Sequence, residues 1–283
     1  MTKSVKNVCI ITGSRADYDL LQPIIKGLSK IKKFNVKTIV TGSHFIKFQT
    51  SIKIIEKDRI KIFKKIKIPY RNDTNSTILK SISFGIEKFD EIFKKNKFDL
   101  LIVLGDRYEI FSAVISASFY RIPIAHLSGG EVTEGAIDES IRHSITKFST
   151  FHFVSNPIYL KRIKQLGENP KNIFHVGSTS VENINKEKLY SKKDLERILN
   201  FDFKEENYLI TFHPVTFQED YGLKDFKAIL SYFEKRKNQG IIFTIPNSDT
   251  KNFFIFRMIK KFIKKIKNSK YFGSLGRIKY FSV

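Results

Sequence analysis

Residues 100–120, LLIVLGDRYEIFSAVISASFY, decide how the chain must fold. Leu100–Leu104 is an unbroken aliphatic run bounded by Asp99 and Gly105, which reads as a strand buried on both faces. Glu109–Tyr120 follows as a helix. The alternation extends upstream, where Val8–Thr12, Val36–Thr41 and Ile62–Ile68 read as strands. Between and after them, Leu20–Lys30, Ser43–Asp58 (loop and helix) and Thr77–Lys95 read as helical segments. Downstream, Ile124–Leu127 and Phe151–Val154 are strands around the helix Ile137–Phe148. Pro157–Gly167 is helical, and Ile173–Val176 is strand-like.

Strands alternating with helices predict an α/β chain whose parallel sheet is covered on both faces. The first domain is expected over residues 1–177. Ser180–Asn207 is charged and polar and reads as linker with a helix. A second alternation follows over 178–283, with strands at Tyr208–Phe212 and Ile241–Ile245 and helices at Leu223–Arg236 and Asn252–Lys267. A third strand is expected near Tyr271, and Gly276–Val283 reads as the start of another helix. So few strands predict that this second domain is incomplete.

Bulk properties agree with two globular domains. The chain has 283 residues, against roughly 100–200 for a usual single domain. Hydrophobic residues make up 41% and include 27 Phe, enough to fill real cores. The formal net charge is +23, from 51 Lys and Arg against 28 Asp and Glu. The lysines are dispersed among abundant Ile, Phe and Asn, which reads as compositional bias. Contact with nucleic acid is therefore expected to be weak, salt-dependent and without sequence preference. Cys9 is the sole cysteine, which excludes an intrachain disulfide and fits a cytoplasmic home. It lies in an apolar run and reads as core packing. The N-terminus lacks a signal-peptide pattern, and no run of about 18 apolar residues predicts a membrane helix.

In open α/β sheets ligands sit beyond the carboxyl ends of the strands. That rule selects Thr12–Tyr18, Thr41–His44, Gly105–Glu109 and Ser128–Gly135. In the first, a small-residue turn could bring backbone amides to an anion at a helix N-terminus, with Arg15 adding a phosphate contact. An ordinary turn with Asp17 as N-cap would use the same residues. In the third, Asp106 is expected to face a cleft, positioned by neighbouring Arg107. In the fourth, Gly129 and Gly130 permit close backbone approach to a ligand. Glu131 follows them, and Asp138 shares a helix face with Arg142 as Glu139 does with His143. Several carboxylates at one cleft would suit proton transfer at carbon. His213 ends the first strand of the second domain. No metal-ligand spacing, GxSxG elbow or GxxxxGK[ST] loop occurs, so neither metal nor cofactor is expected.

Four stretches, ITGSRADYDLL, LGDRYEIFSA, GGEVTEGAIDESIRHSITK and HPVT, together resemble the hydrolysing UDP-N-acetylglucosamine 2-epimerases of bacterial sialic acid synthesis. The resemblance implies two Rossmann-like domains in a GT-B-like arrangement with the active site between them. It implies loss of UDP from UDP-N-acetylglucosamine and hydration to N-acetylmannosamine, in a homo-oligomer. By this analogy Asp106, Glu131 and Asp138 match the catalytic carboxylates and His213 joins them. Arg15, Asp17, Arg107, Ser128, Arg142 and Asn247 match substrate-binding positions. Ser128 departs from the His or Glu of many relatives. The relatives also continue past FGSLGRIKYFSV into a Ser-rich turn that grips the nucleotide, which implies a truncated chain. Two other readings stay open: an epimerase for a diacetamido sugar nucleotide of the legionaminic acid route, and a remnant that binds a ligand or partner without turnover.

Overall fold

The computed structural model describes residues 4–45, 51–69, 74–236, 238–245 and 252–283, apart from the side chain of Lys186. They form two compact units, the second made of the residues from Ile184 on together with the short stretch up to Asn75 that precedes Ser76.

The first unit is built on a seven-stranded sheet in the order β3-β2-β1-β4-β5-β6-β7. Its strands are β1 (Lys6–Thr12), β2 (Phe34–Val40), β3 (Ile62–Lys65), β4 (Leu100–Leu104), β5 (Ile124–Leu127), β6 (Phe151–Val154) and β7 (Ile173–His175). Every neighbouring pair is parallel. The helices are α1 (Arg15–Ser29), α2 (Ile52–Lys57), α3 (Asn75–Lys95), α4 (Tyr108–Phe119), α5 (Ile137–Phe148) and α6 (Pro157–Gln165), with α7 (Thr179–Lys186) at the junction. The chain builds the sheet outward from β1 to β3, then returns to lay β4 on the other side of β1. That reversal places the loops after β1 and β4 side by side, where α/β sheets form their ligand crevices.

Two cores follow from strand geometry. Successive residues of a strand face opposite ways, so Val8 and Ile10 enter one core with Tyr18, Leu21 and Ile25 of α1. Cys9 and Ile11 enter the other, with Phe89 and Phe93 of α3 and Ile110, Ala113 and Val114 of α4. Each fully buried aliphatic side chain contributes about 1.5–3 kcal/mol. Burial also pushes the Cys9 thiol well above its usual range, which keeps it protonated and inert.

The second unit carries a parallel three-stranded sheet in the order β10-β9-β8. Its strands are β8 (Glu206–Thr211), β9 (Gln239–Thr244) and β10 (Ser269–Phe272). On one face α9 (Leu223–Glu234) and α10 (Asn252–Lys265) supply Phe226, Phe233, Ile255 and Phe262 against Ile241 and Phe243. On the other, Leu195 and Leu199 of α8 (Lys192–Leu199) pack with Ile242 and Leu275. A short helix, α11 (Arg277–Ser282), ends the chain. The polar stretch read as linker with a helix contains most of α7 and the whole of α8. Ser191 caps α8 by accepting from the Asp194 amide, and Asn200 ends it in the left-handed conformation. Among the described residues, no helix is long and apolar enough to cross a membrane.

Two tests follow from this packing. Gly42 has φ +60°, and a Cβ there would lie 2.4 Å from the Gly13 carbonyl oxygen and 2.6 Å from Glu109 Oε1. Gly42→Ala should therefore cost about 1–3 kcal/mol of stability. Gly27→Ala, in α1 with nothing within 4 Å, should be neutral or stabilising by up to about 1 kcal/mol. Urea unfolding of both variants checks the contrast, and an equal effect would remove the packing argument.

The second test concerns pH. His126 is fully buried, and burial pushes its pKa from 6.5 down to about 3. His44 and His152 are also held below the usual histidine range, chiefly by burial. His126 therefore stays neutral in the folded chain down to about pH 3 but takes up a proton in the unfolded one. The unfolded state thus binds more protons, and stability falls as pH drops from 6.5 toward about 3. His126→Asn should flatten that fall in urea midpoint between neutral and acid pH; an unchanged slope would contradict the burial.

Candidate active site

Thr12, the last residue of β1, begins a turn that closes on itself. Ser14 is the N-cap of α1 and Asp17 stands at its third position, so Ser14 takes the capping role that the sequence suggested for Asp17. The Asp17 carboxylate accepts from the Gly13 amide at 2.8 Å, the Ser14 amide at 2.9 Å and the Thr12 hydroxyl at 2.7 Å. The two amides expected to greet an anionic ligand therefore already hold an internal carboxylate. Asp17 is buried. Arg15, in the first turn of α1, has its Nε 3.8 Å from the Asp19 carboxylate.

His44, beyond β2, completes this network. The Thr12 hydroxyl donates to Asp17, so the His44 Nε2–H donates to Thr12 Oγ1 at 2.9 Å, leaving Nδ1 to accept from Ser51 at 2.6 Å. Sequence reading chose this strand-end segment but gave His44 no role.

The loop after β4 corrects a second expectation. Asp106 does not pair with neighbouring Arg107; its carboxylate forms an ion pair with Arg142 of α5. Arg107 is buried and turns toward Glu109, its Nε lying 3.5 Å from Oε1. Glu109 is fully buried in the first turn of α4, where a carboxylate favours the helix dipole. It packs against Gly13 and Gly42, and either glycine's missing Cβ would strike it. One carboxylate thus braces the loops after β1, β2 and β4. Gly105 has φ +76°, and its carbonyl accepts from His126 Nε2 at 2.7 Å. His126 Nδ1 faces Thr146 Oγ1 at 3.2 Å. Neither Glu109 nor His126 stood out in the sequence, because an acid in a helix start and a histidine inside a strand carry no motif.

The loop after β5 holds the most polar chemistry. Its double glycine also serves the chain's own packing. A Cβ on Gly129 would lie 2.9 Å from His126 Nδ1, and one on Gly130 would lie 2.7 Å from the Tyr159 carbonyl oxygen. Ser128 and Gly130 both take positive φ, +61° and +76°. Arg162 of α6 donates to the Gly130 carbonyl. Arg142 donates to the Glu131 carbonyl at 2.9 Å and to the Thr133 hydroxyl at 3.0 Å. The half-buried Glu131 carboxylate accepts from Ser155 at 3.2 Å. Burial raises its pKa above the usual carboxylate range, against Arg142 and Ser155, while nearby Asp106 adds to the rise.

The structure thus brings Asp106, Glu131 and Arg142 together at adjacent strand ends. Asp138 lies half-buried in the first turn of the same α5. Glu139 and His143 approach each other one turn apart, at 3.8 Å. His213 belongs to the second unit, exposed just beyond β8, which excludes a core role for it. Asn247 lies outside the described residues.

Comparison with known proteins accords with this geometry. Residues 26–283 match the family model described as UDP-N-acetylglucosamine 2-epimerase. The chain is 39% identical over 282 residues to the GDP/UDP-N,N'-diacetylbacillosamine 2-epimerase (hydrolyzing) of Campylobacter jejuni, covering 99% of this chain and 73% of that one. It is 37% identical over 265 residues to the polysialic acid biosynthesis protein P7 of Escherichia coli, covering 93% of this chain and 68% of that one. In fold it is similar to the UDP-GlcNAc 2-epimerase from Neisseria meningitidis bound to UDP-GlcNAc. That similarity has a TM-score of 0.74 and 17% identity, covering 97% of this chain and 74% of that one. With carboxylates at the ends of β4 and β5, the same α/β architecture and a match over most of its length, this chain belongs to the UDP-N-acetylglucosamine 2-epimerase family.

Proposed function

We propose that the chain acts as a hydrolysing 2-epimerase of a UDP-linked 2-acetamido sugar. It would release UDP and leave the free sugar inverted at C2. The observation that carries this reading is Arg142 joining the Asp106 carboxylate to the Glu131 backbone carbonyl, which brings the two acids close together in the loops after neighbouring strands.

The chemistry asks for two proton-handling groups. A carboxylate removes the weakly acidic C2 proton, the C1–C2 double bond forms, and the C1–O bond breaks with UDP as leaving group. Water then adds its oxygen at C1, and a proton returns to C2 on the opposite face. Glu131, with its pKa raised by burial, retains a proton more readily than an exposed glutamate, which suits it to the donating step. Asp106, salt-bridged to Arg142, suits the charged partner. Asp138 and His213 are proposed to complete the catalytic set, and Arg15 to bind the diphosphate.

The sugar is read first as N-acetylglucosamine, giving N-acetylmannosamine for sialic acid synthesis. The 39% identity to a diacetylbacillosamine epimerase favours a second reading, in which the substrate carries a further acetamido group. Incubating the purified chain with each UDP-sugar and following UDP release by phosphorus NMR separates the two. Turnover of one is expected, and Asp106→Asn, Glu131→Gln or Asp138→Asn should each cut it by about 10²–10⁴-fold. Release of UDP from neither sugar would overturn the enzymatic reading; UDP binding without release would identify a binding remnant.

A further inference from the structure

The loop after β5 is held by two arginines on successive carbonyls. Arg162 of α6 takes the Gly130 oxygen, and Arg142 of α5 takes the Glu131 oxygen. Arg142 also reaches the Thr133 hydroxyl and the Asp106 carboxylate. A guanidinium is planar and offers its donors in a fixed fork, so three acceptors gathered around it hold one mutual geometry. Arg142 is only 6% exposed. Its charge is met from inside the protein, and its bonds run to the chain itself.

We propose that Arg142 is a positioning residue of the epimerase site, a buried tie that fixes the Asp106 carboxylate against the loop carrying Glu131 and makes no contact with the sugar nucleotide. The proposal rests on the reading given under Proposed function and assigns Arg142 a different part from the substrate contact that the family resemblance implied.

The physical case has two parts. The first is distance. Asp106 lies in the loop after β4 and Glu131 in the loop after β5, and the register of β4 with β5 fixes only the strands beneath them. Each loop leaves its strand through a left-handed residue, Gly105 or Ser128, so neither carboxylate inherits its place from the sheet. Arg142 supplies the missing tie. Reacting groups displaced by about 1 Å can lose about 10²-fold in rate. The second part is charge. Glu131 is faced by Asp106 from the end of β4, Arg142 from α5 and the Ser155 hydroxyl from beyond β6. Arg162 from α6 sits on the adjoining Gly130 carbonyl. Removing Arg142 leaves two carboxylates near each other without the cation that offsets their charge.

Arg142→Gln and Arg142→Lys in the full chain test this. Carboxyl-labelled glutamate followed by carbon NMR gives the Glu131 titration, its resonance identified by its loss in Glu131→Gln. In Arg142→Gln, Glu131 should titrate at higher pH than in the unsubstituted chain, and the amides of residues 131–134 should exchange faster. The kcat should fall about 10²-fold or more with KM little changed. Arg142→Lys restores the charge without the fork, so it should recover the titration more than the turnover. A raised KM with kcat retained would make Arg142 a substrate contact and overturn the proposal. So would an unchanged Glu131 titration and amide exchange in Arg142→Gln. Should Arg142→Gln fail to fold, the lysine variant decides by the same split of kcat and KM. If the unsubstituted chain turns over neither UDP-sugar, the functional reading fails by itself, and titration and exchange still decide whether Arg142 ties the loop.

Discussion

Burial of β1 on both faces is the constraint from which the rest of the first unit follows. Strand residues alternate sides, so Val8 and Ile10 need one helical cover while Cys9 and Ile11 need another. A parallel neighbour can be reached only through a crossover, and those crossovers are the covering helices. With β2 laid on one side of β1 and β4 on the other, the chain has to reverse its direction of growth beside β1. The loops after β1 and β4 then lie side by side at the switch point, where Glu109 packs against Gly13. The position of the candidate site is a consequence of covering hydrophobic surface, and only its contents are chemical choices.

Those contents are largely satisfied from within. Asp17 occupies the Gly13 and Ser14 amides, His126 holds the Gly105 carbonyl, and two arginines hold Gly130 and Glu131. Buried polar groups lose their water, so each needs an internal partner or costs about 1–3 kcal/mol. The same bonds orient the loops before any ligand arrives. Orientation of this kind matters for proton transfer at carbon, where two carboxylates must stand at a set spacing on a weakly acidic centre.

The frame of this arrangement was legible in the sequence, and the partnerships were not. Leu100–Leu104 announced a strand buried on both faces, and every segment chosen by the strand-end rule does follow a strand of the parallel sheet. Periodicity also located α9, α10 and the third strand near Tyr271. It blurred α7 and α8, short helices rich in polar and charged residues, where in α8 only Leu195 and Leu199 mark the buried side. Partnerships failed for a different reason. Local spacing suggested Arg107 for Asp106, yet the actual cation lies 36 residues away on α5. The glycines at 129 and 130 carry no spacing signal for their close protein neighbours, His126 and Tyr159. Spacing along a chain reports neighbours on one element, while loops at strand ends meet across several.

A net charge of +23 first suggests a polyanionic partner, but the lysines and the arginines have different work. Many lysines lie on exposed faces, paired there with single carboxylates as in Lys6–Asp99, Lys65–Glu56 and Lys265–Glu234. Exposed pairs of that kind contribute at most about 1 kcal/mol each. Buried positions use arginine instead: Arg107 against Glu109, and Arg142 among Asp106, Glu131 and Thr133. Lysine brings one compact ammonium that water solvates strongly; arginine brings a weakly hydrated plane whose donors point in fixed directions. A bias toward lysine can therefore spread over the surface without disturbing the fold. A lysine ammonium lacks the fork of donors with which Arg142 meets three acceptors at once.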